Sequence, residues 1–106
     1  MPREKFKTLT QQMFYVLLCL QKERCGIELL ELIPELTEGR VTVGSGTLYD
    51  LLEAFLEAGM IRETKCEGRR RSYVITPHGQ NKLAEEYERI DMQARDYRRL
   101  TQEGRS

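Results

Sequence analysis

Apolar stretches with helical spacing alternate along this chain with short turns marked by glycine, proline or small polar residues. Thr8-Leu9-Thr10-Gln11 has the form of a capping box, with Thr8 as cap and Gln11 reaching back. It predicts a first helix running to about Lys22. Met13 to Leu20 is apolar on all sides, so this helix has to bury more than one face. In a chain this small, the second face points to a partner subunit. Cys25-Gly26 interrupts the pattern. A short second helix is expected from Ile27 to about Ile33, ended by Pro34. Its apolar side is Ile27, Leu29, Leu30 and Ile33, while Glu28, Glu31 and Glu35 face water. Glu38-Gly39 then turns the chain into Arg40-Val41-Thr42-Val43, a short β-like segment.

Ser45 is the expected N-cap of a third helix that ends at Ala58, before Gly59. Leu48, Leu51, Leu52, Phe55 and Leu56 form its core face, with Tyr49, Asp50, Glu53 and Glu57 outside. Two strands follow, Ile61 to Cys66 and Arg71 to Ile75, joined through Glu67-Gly68-Arg69-Arg70. Thr76-Pro77 is a cap with proline at the first helical position, opening a fourth helix to about Leu100. Its apolar positions Leu83, Tyr87, Ile90, Ala94 and Tyr97 are spaced four, three, four, three, which is a heptad seam. A helix of this length spans roughly 36 Å. One small domain cannot cover it, so the seam is expected to close on a second copy with two-fold symmetry.

Composition changes this picture little. At 106 residues, 40% hydrophobic and 32% charged, the chain has the make-up of a single soluble domain. No apolar run approaches a membrane span, the longest being the eight residues Met13–Leu20. The N-terminal residues do not read as a signal peptide, so a cytoplasmic protein is expected. Three cysteines, Cys19, Cys25 and Cys66, and the single histidine His78 show no metal-ligand spacing. Cys66 alone lies among basic residues that favour a thiolate.

Charge is more informative by segment. The net charge is zero, but residues 1–22 carry +3, residues 23–57 carry −6, and residues 62–71 carry +3. A helix opened by small polar residues, followed by a basic hairpin, suits a winged helix-turn-helix that places a helix N-terminus in a DNA groove and a wing beside it. Ser45, Gly46 and Thr47 offer N–H groups and hydroxyls to DNA. Thr42 and Tyr49 adjoin that N-terminus, and Tyr49 is assigned a phosphate contact. Lys65, Arg69, Arg70 and Arg71 make the wing, with Arg69 and Arg70 at the tip. Alternation sends neighbouring strand side chains to opposite faces, which leaves Arg71 for a local acid and Tyr73 for packing. Lys5 and Lys7 extend the contact as an arm.

Catalysis is not expected. His78 lies on a helical first turn, Ser45 has no histidine partner, and the pairs Asp50/Glu53 and Glu85/Glu88 lie on helix surfaces without a pocket. No cofactor is implied.

From Leu9 to about Leu83 the residues resemble the PadR family of bacterial transcriptional regulators. The resemblance is carried by Gly26-Ile27-Glu28-Leu29, Gly46-Thr47-Leu48-Tyr49, Gly59-Met60-Ile61, Gly68-Arg69-Arg70-Arg71-Ser72-Tyr73 and Thr76-Pro77-His78-Gly79. The single C-terminal helix is similar to that of the small PadR subgroup. The resemblance implies a mainly α (α+β) fold, with a two-stranded wing and a long dimerisation helix. Residues 1–76 would form the DNA-binding domain and residues 77–106 the dimerisation helix and tail. It further implies a homodimeric repressor on a palindromic operator, released by a small-molecule effector near the dimer interface. The dimer contacts would be Tyr15, Leu18, Leu83, Tyr87, Ile90, Ala94 and Tyr97. Asp50 and Glu53 stand where many members have basic residues, which concentrates DNA contact on the helix N-terminus and the wing. A different reading is a protein-interaction module that docks a basic partner through its acidic second and third helices.

Overall fold

A computed structural model of the protein describes residues 8–103. The first helix, α1, spans Gln11–Cys19 and is capped by Thr10, two residues later than the sequence suggests. Thr10 Oγ1 accepts the Met13 N–H at 3.2 Å, and the Thr10 N–H donates to the Met13 sulfur at 3.5 Å. Thr8 is not the cap because Leu9 is committed elsewhere. Its side chain enters the core and its N–H donates to Glu86 at 3.1 Å. The helix also stops short of Lys22. Its terminal carbonyls find other donors: Arg24 Nε bonds the Cys19 carbonyl at 2.8 Å, and the Ile75 N–H bonds the Leu20 carbonyl at 2.9 Å.

Arg24–Cys25 forms a two-residue strand, β1, that local pattern does not announce. Helix α2 (Gly26–Leu36) begins at once, and Glu28 Oε1 accepts the Cys25 N–H at 2.8 Å. That bond holds the Glu28 carboxyl below its ordinary pKa. The helix runs through Pro34 instead of ending there. Thr37, fully buried, secures the last turn by donating its N–H and its hydroxyl to the Ile33 carbonyl at 3.1 and 2.8 Å. Glu38 and Gly39 at φ 52° and 80° then reverse the chain. Leu29 and Ile33 are buried, Leu30 is half-buried, and Ile27 stays more than half exposed.

The segment 40–43 is not a strand. Val41 and Val43 are buried and Thr42 is exposed, so the alternation is present, but side chains tie the segment down in place of a partner strand. The Val41 N–H donates to Thr37 Oγ1 at 3.0 Å, and Gln12 Nε2 donates to the Thr42 carbonyl at 3.0 Å.

Helix α3 covers Ser45–Glu57. Gly44 is its N-cap, so Ser45 is the first helical residue and not the cap. Leu48, Leu52 and Phe55 are buried, with Leu51 and Leu56 half-buried beside them. Strands β2 (Ile61–Glu67) and β3 (Arg70–Ile75) pair antiparallel, and the three-stranded sheet has the order β1-β3-β2. The strands reach closer to the tip than expected, leaving a two-residue loop, Gly68-Arg69, with Gly68 at φ 63°. A first loop residue with positive φ is what a two-residue hairpin of this kind requires of glycine. A bulge between Glu63 and Lys65 shifts the register around Thr64.

Helix α4 runs over Pro77–Glu103 and is capped by Thr76, whose Oγ1 accepts the Gly79 N–H at 3.2 Å and donates to the Gly59 carbonyl at 2.6 Å. Gly79 has no room for a side chain, since a β-carbon would sit 2.1 Å from the Met60 carbonyl oxygen. The helix thereby crosses the entrance to β2 with the two backbones in close approach. Its first turns pack on the domain through Leu83 and Glu86, and the rest projects beyond it. The result is mainly α, a helix-turn-helix with a small antiparallel wing and a long C-terminal helix.

Candidate nucleic-acid interface

Helix α3 opens without a side-chain cap. Its first backbone bond runs from the Leu48 N–H to the Gly44 carbonyl at 2.9 Å. The N–H groups of Ser45, Gly46 and Thr47 therefore have no partner within the helix. All three residues are exposed, as is Thr42 just before them. Among the described residues the hydroxyls of Ser45 and Thr47 form no hydrogen bond. This helix end presents donors and the positive end of a dipole, which is the electrostatics of an anion site.

Gly46 adds a second clue. Its φ is not positive, and no atom lies within 4 Å of where a β-carbon would sit. Neither turn geometry nor packing inside the chain calls for glycine at Gly46. Gly26 and Gly79 differ: a β-carbon at Gly79 would strike the Met60 backbone, and one at Gly26 would have to displace the Tyr49 ring.

Tyr49 is half exposed, but its hydroxyl lies 2.6 Å from the position a Gly26 β-carbon would take. The ring thus leans over the start of α2, and its hydroxyl is turned toward the protein. In the wing, Lys65 is 3.6 Å from Glu23, and Arg71 is 3.9 Å from Glu63. The Glu63 carboxylate raises the pKa of the Arg71 guanidinium. Strand alternation accounts for a local acid at Arg71, whereas the Glu23 partner of Lys65 comes from a distant turn. Arg69 and Arg70 form no ion pair among the described residues. Tyr73 is buried on the wing strand, and burial pushes its phenol pKa up. Lys5 and Lys7 lie outside the described residues.

Between the wing, the start of α2 and the flank of α3 lies an open cleft of about 300 Å³. Ile27, Tyr49 and Leu56 contribute apolar surface, Glu53 and the arginines Arg69 and Arg70 the charge. Local pattern does not reveal this cleft, since its walls come from three separate elements.

The seam positions of α4 divide into two groups. Leu83 is in the core of its own domain and Ala94 is half-buried, as are Tyr15 and Leu18 on the neighbouring α1. Tyr87, Ile90 and Tyr97 are exposed at 59%, 41% and 71%, together with Met92 and Leu100. Where α4 passes α1, Leu9, Phe14, Tyr15, Glu86, Tyr87 and Ile90 border a shallow depression. Glu86 is almost fully buried there, accepting from Leu9 and from Arg89. Nothing local in the sequence signals that buried carboxylate, because a Glu/Arg pair on a polar helix reads as surface charge.

Among the described residues no cluster of three or more His, Cys, Asp or Glu side chains is placed to hold a metal, and no helix is long and apolar enough to cross a membrane. Cys19 and Cys25 are buried and Cys66 is exposed. Burial raises the Cys19 thiol pKa.

The sequence of residues 16–85 matches the family model described as the transcriptional regulator PadR-like family. No curated protein matches the chain significantly. Several solved structures share the fold. A transcriptional regulator from Clostridium thermocellum is similar at 21% identity and TM-score 0.71, over 84% of this chain and 90% of that one. A PadR family transcription regulator from Clostridium difficile is similar at 15% identity and TM-score 0.71, over 87% and 99%. A PadR family transcriptional regulator from Eggerthella lenta gives 21% and 0.70, over 84% and 80%.

Proposed function

This chain belongs to the PadR-like family of transcriptional regulators, and on that footing we propose that it is a cytoplasmic homodimeric repressor of a palindromic DNA operator. The observation that carries this reading is a pairing of two features. Free N–H and hydroxyl donors at the start of α3 stand beside a wing whose tip arginines, Arg69 and Arg70, form no ion pair among the described residues. Residues 1–76 act as the DNA-binding part and residues 77–106 as the dimerisation helix and tail. Ser45, Gly46 and Thr47 meet phosphates or base edges in the major groove, with Thr42 at the margin. Arg69 and Arg70 contact the backbone or minor groove, while Lys65 and Arg71 have to exchange an internal acid for phosphate. Tyr49 supports the helix entry and reaches phosphate only by leaving Gly26.

In the dimer, Tyr87, Ile90, Ala94 and Tyr97 pack on the same helix of a second copy, with Tyr15 and Leu18 at the flank and Leu83 anchoring α4 to its own domain. Two α3 helices then address half-sites about one helical turn apart. A small-molecule effector that prefers one dimer geometry releases the operator. The test is fluorescence anisotropy on duplex DNA from upstream of the protein's own gene, against a shuffled duplex at two salt concentrations. Preference for the native duplex, weakening with salt, is the expected result. Absence of binding to either duplex at low salt by a folded dimer would overturn it. The exposed acids Glu31, Glu35, Asp50, Glu53 and Glu57 would then favour docking of a basic protein.

A further inference from the structure

The cleft beside the wing has two unlike walls. On the helix side Ile27 and Tyr49 remain 53% and 48% exposed, and half-buried Leu56 continues the same apolar surface. On the wing side stand Arg69 and Arg70, neither in an ion pair among the described residues, with Arg71 beside them held by Glu63. The cleft sets apolar surface against guanidinium groups across about 300 Å³ and gives an alkyl body and an anionic head each a matching wall. It is the size and make-up of a small-ligand site, apolar body to one side and convergent polar groups to the other.

We infer that this cleft binds a medium-chain alkyl carboxylate, with the chain along Ile27 and Leu56 and the carboxylate held by Arg69 and Arg70. A planar guanidinium matches a carboxylate in a forked pair, which favours this head group over an alcohol or an amide. Glu53 is on the helix wall of the same cleft. Its charge opposes a dianion and leaves a single carboxylate, seated at the wing, as the favoured head. Ile27 and Leu56 form an aliphatic track beside the Tyr49 ring, along which a flexible alkyl chain can lie. Occupancy engages the same two arginines assigned above to DNA phosphate, so ligand and operator compete. That competition rests on the proposed DNA reading; ligand binding itself does not.

Isothermal titration of the full-length protein with octanoate, without DNA, tests the site. Propionate supplies the head without the chain, and octanamide the chain without the charge. Saturable binding of octanoate is expected, with both controls weaker by about tenfold or more, the scale of a lost charge-assisted hydrogen bond or of several buried methylenes. Ile27→Asp places a charge in the mouth of the cleft at an exposed position and abolishes binding. Arg69→Gln/Arg70→Gln weakens it about tenfold, the scale of a charge-assisted hydrogen bond, and Glu53→Gln tightens it. Circular dichroism confirms that each variant is folded. Non-saturable uptake, equal affinity for octanamide, or octanoate binding that survives Ile27→Asp in a folded protein would each overturn the assignment. A second titration in the presence of duplex DNA separates the two readings. Octanoate that binds a protein with no DNA affinity leaves the cleft intact and removes the operator.

Discussion

Glu86 and Leu9 stand 77 residues apart, yet the buried Glu86 carboxylate accepts the Leu9 N–H at 3.1 Å. Arg89 donates to the same carboxylate, so the pair ties the entry of α1 to the third turn of α4. Its pKa is lowered, first by the Arg89 hydrogen bond and then by that of Leu9, against the cost of burial. The folded-state pKa is thus below the unfolded value of 4.5. Its stabilisation is complete above that value and is lost as pH falls through the folded pKa. Thermal melts of Glu86→Gln should depend less on pH below about 4.5 than those of the wild type. Glu86→Ala should cost about 1–3 kcal/mol at neutral pH, since the Leu9 donor is left unpaired.

Gly46 makes an unusual prediction because the two expected effects have opposite sign. Alanine fits the helical backbone there and meets nothing within 4 Å. Gly46→Ala should raise stability by up to about 0.5 kcal/mol in denaturant titrations. It should also lower operator affinity by about tenfold, because the added methyl group keeps phosphate from the open N–H groups. A variant that is more stable and binds equally well would remove Gly46 from the interface.

Arg69→Ala/Arg70→Ala should weaken binding to native and shuffled duplexes alike. The slope of log affinity against log salt should fall by roughly one for each phosphate left without its guanidinium. Because neither arginine forms an ion pair among the described residues, and Arg70 is only a minor influence on Glu28, the melting temperature should change little. Lys65→Ala and Arg71→Ala should act more weakly, as each side chain has to give up its glutamate before it reaches phosphate.

Ile90 is exposed and lies at the centre of the proposed seam. If the proposed dimer forms through this seam, Ile90→Asp should convert it to a monomer in sedimentation velocity while preserving helical content. A dimer that survives the change would place the subunit contact elsewhere.

The sequence carries most of the architecture wherever a chemical stop coincides with a structural one. Gly59 at φ 73°, Gly68 at φ 63° and Thr76 before Pro77 delimit α3, the wing and α4 close to where pattern places them. Pattern misleads where a more distant partner decides. β1 exists because Arg24 and Cys25 meet Tyr73 and Ser72 of β3. The run of helix α2 past Pro34 has a local cause instead, since the buried Thr37 holds the turn that follows. Thr10 displaces Thr8 because Glu86 claims Leu9. The candidate site shows the same division. The open helix start and the tip arginines follow from local residues. The turn of Tyr49 toward Gly26, the Glu23 partner of Lys65 and the cleft itself depend on elements that only folding brings together.

The wing is also fastened at its root. Ile75 donates to Leu20 at the end of α1, Arg24 donates to Cys19, and β1 runs from that same turn into pairing with β3. Hairpin and first helix are joined like a blade and its shaft. Any rotation of α1 must sweep the tip arginines through an arc with it, so small rotations at the helix arrive, magnified by leverage, at the tip.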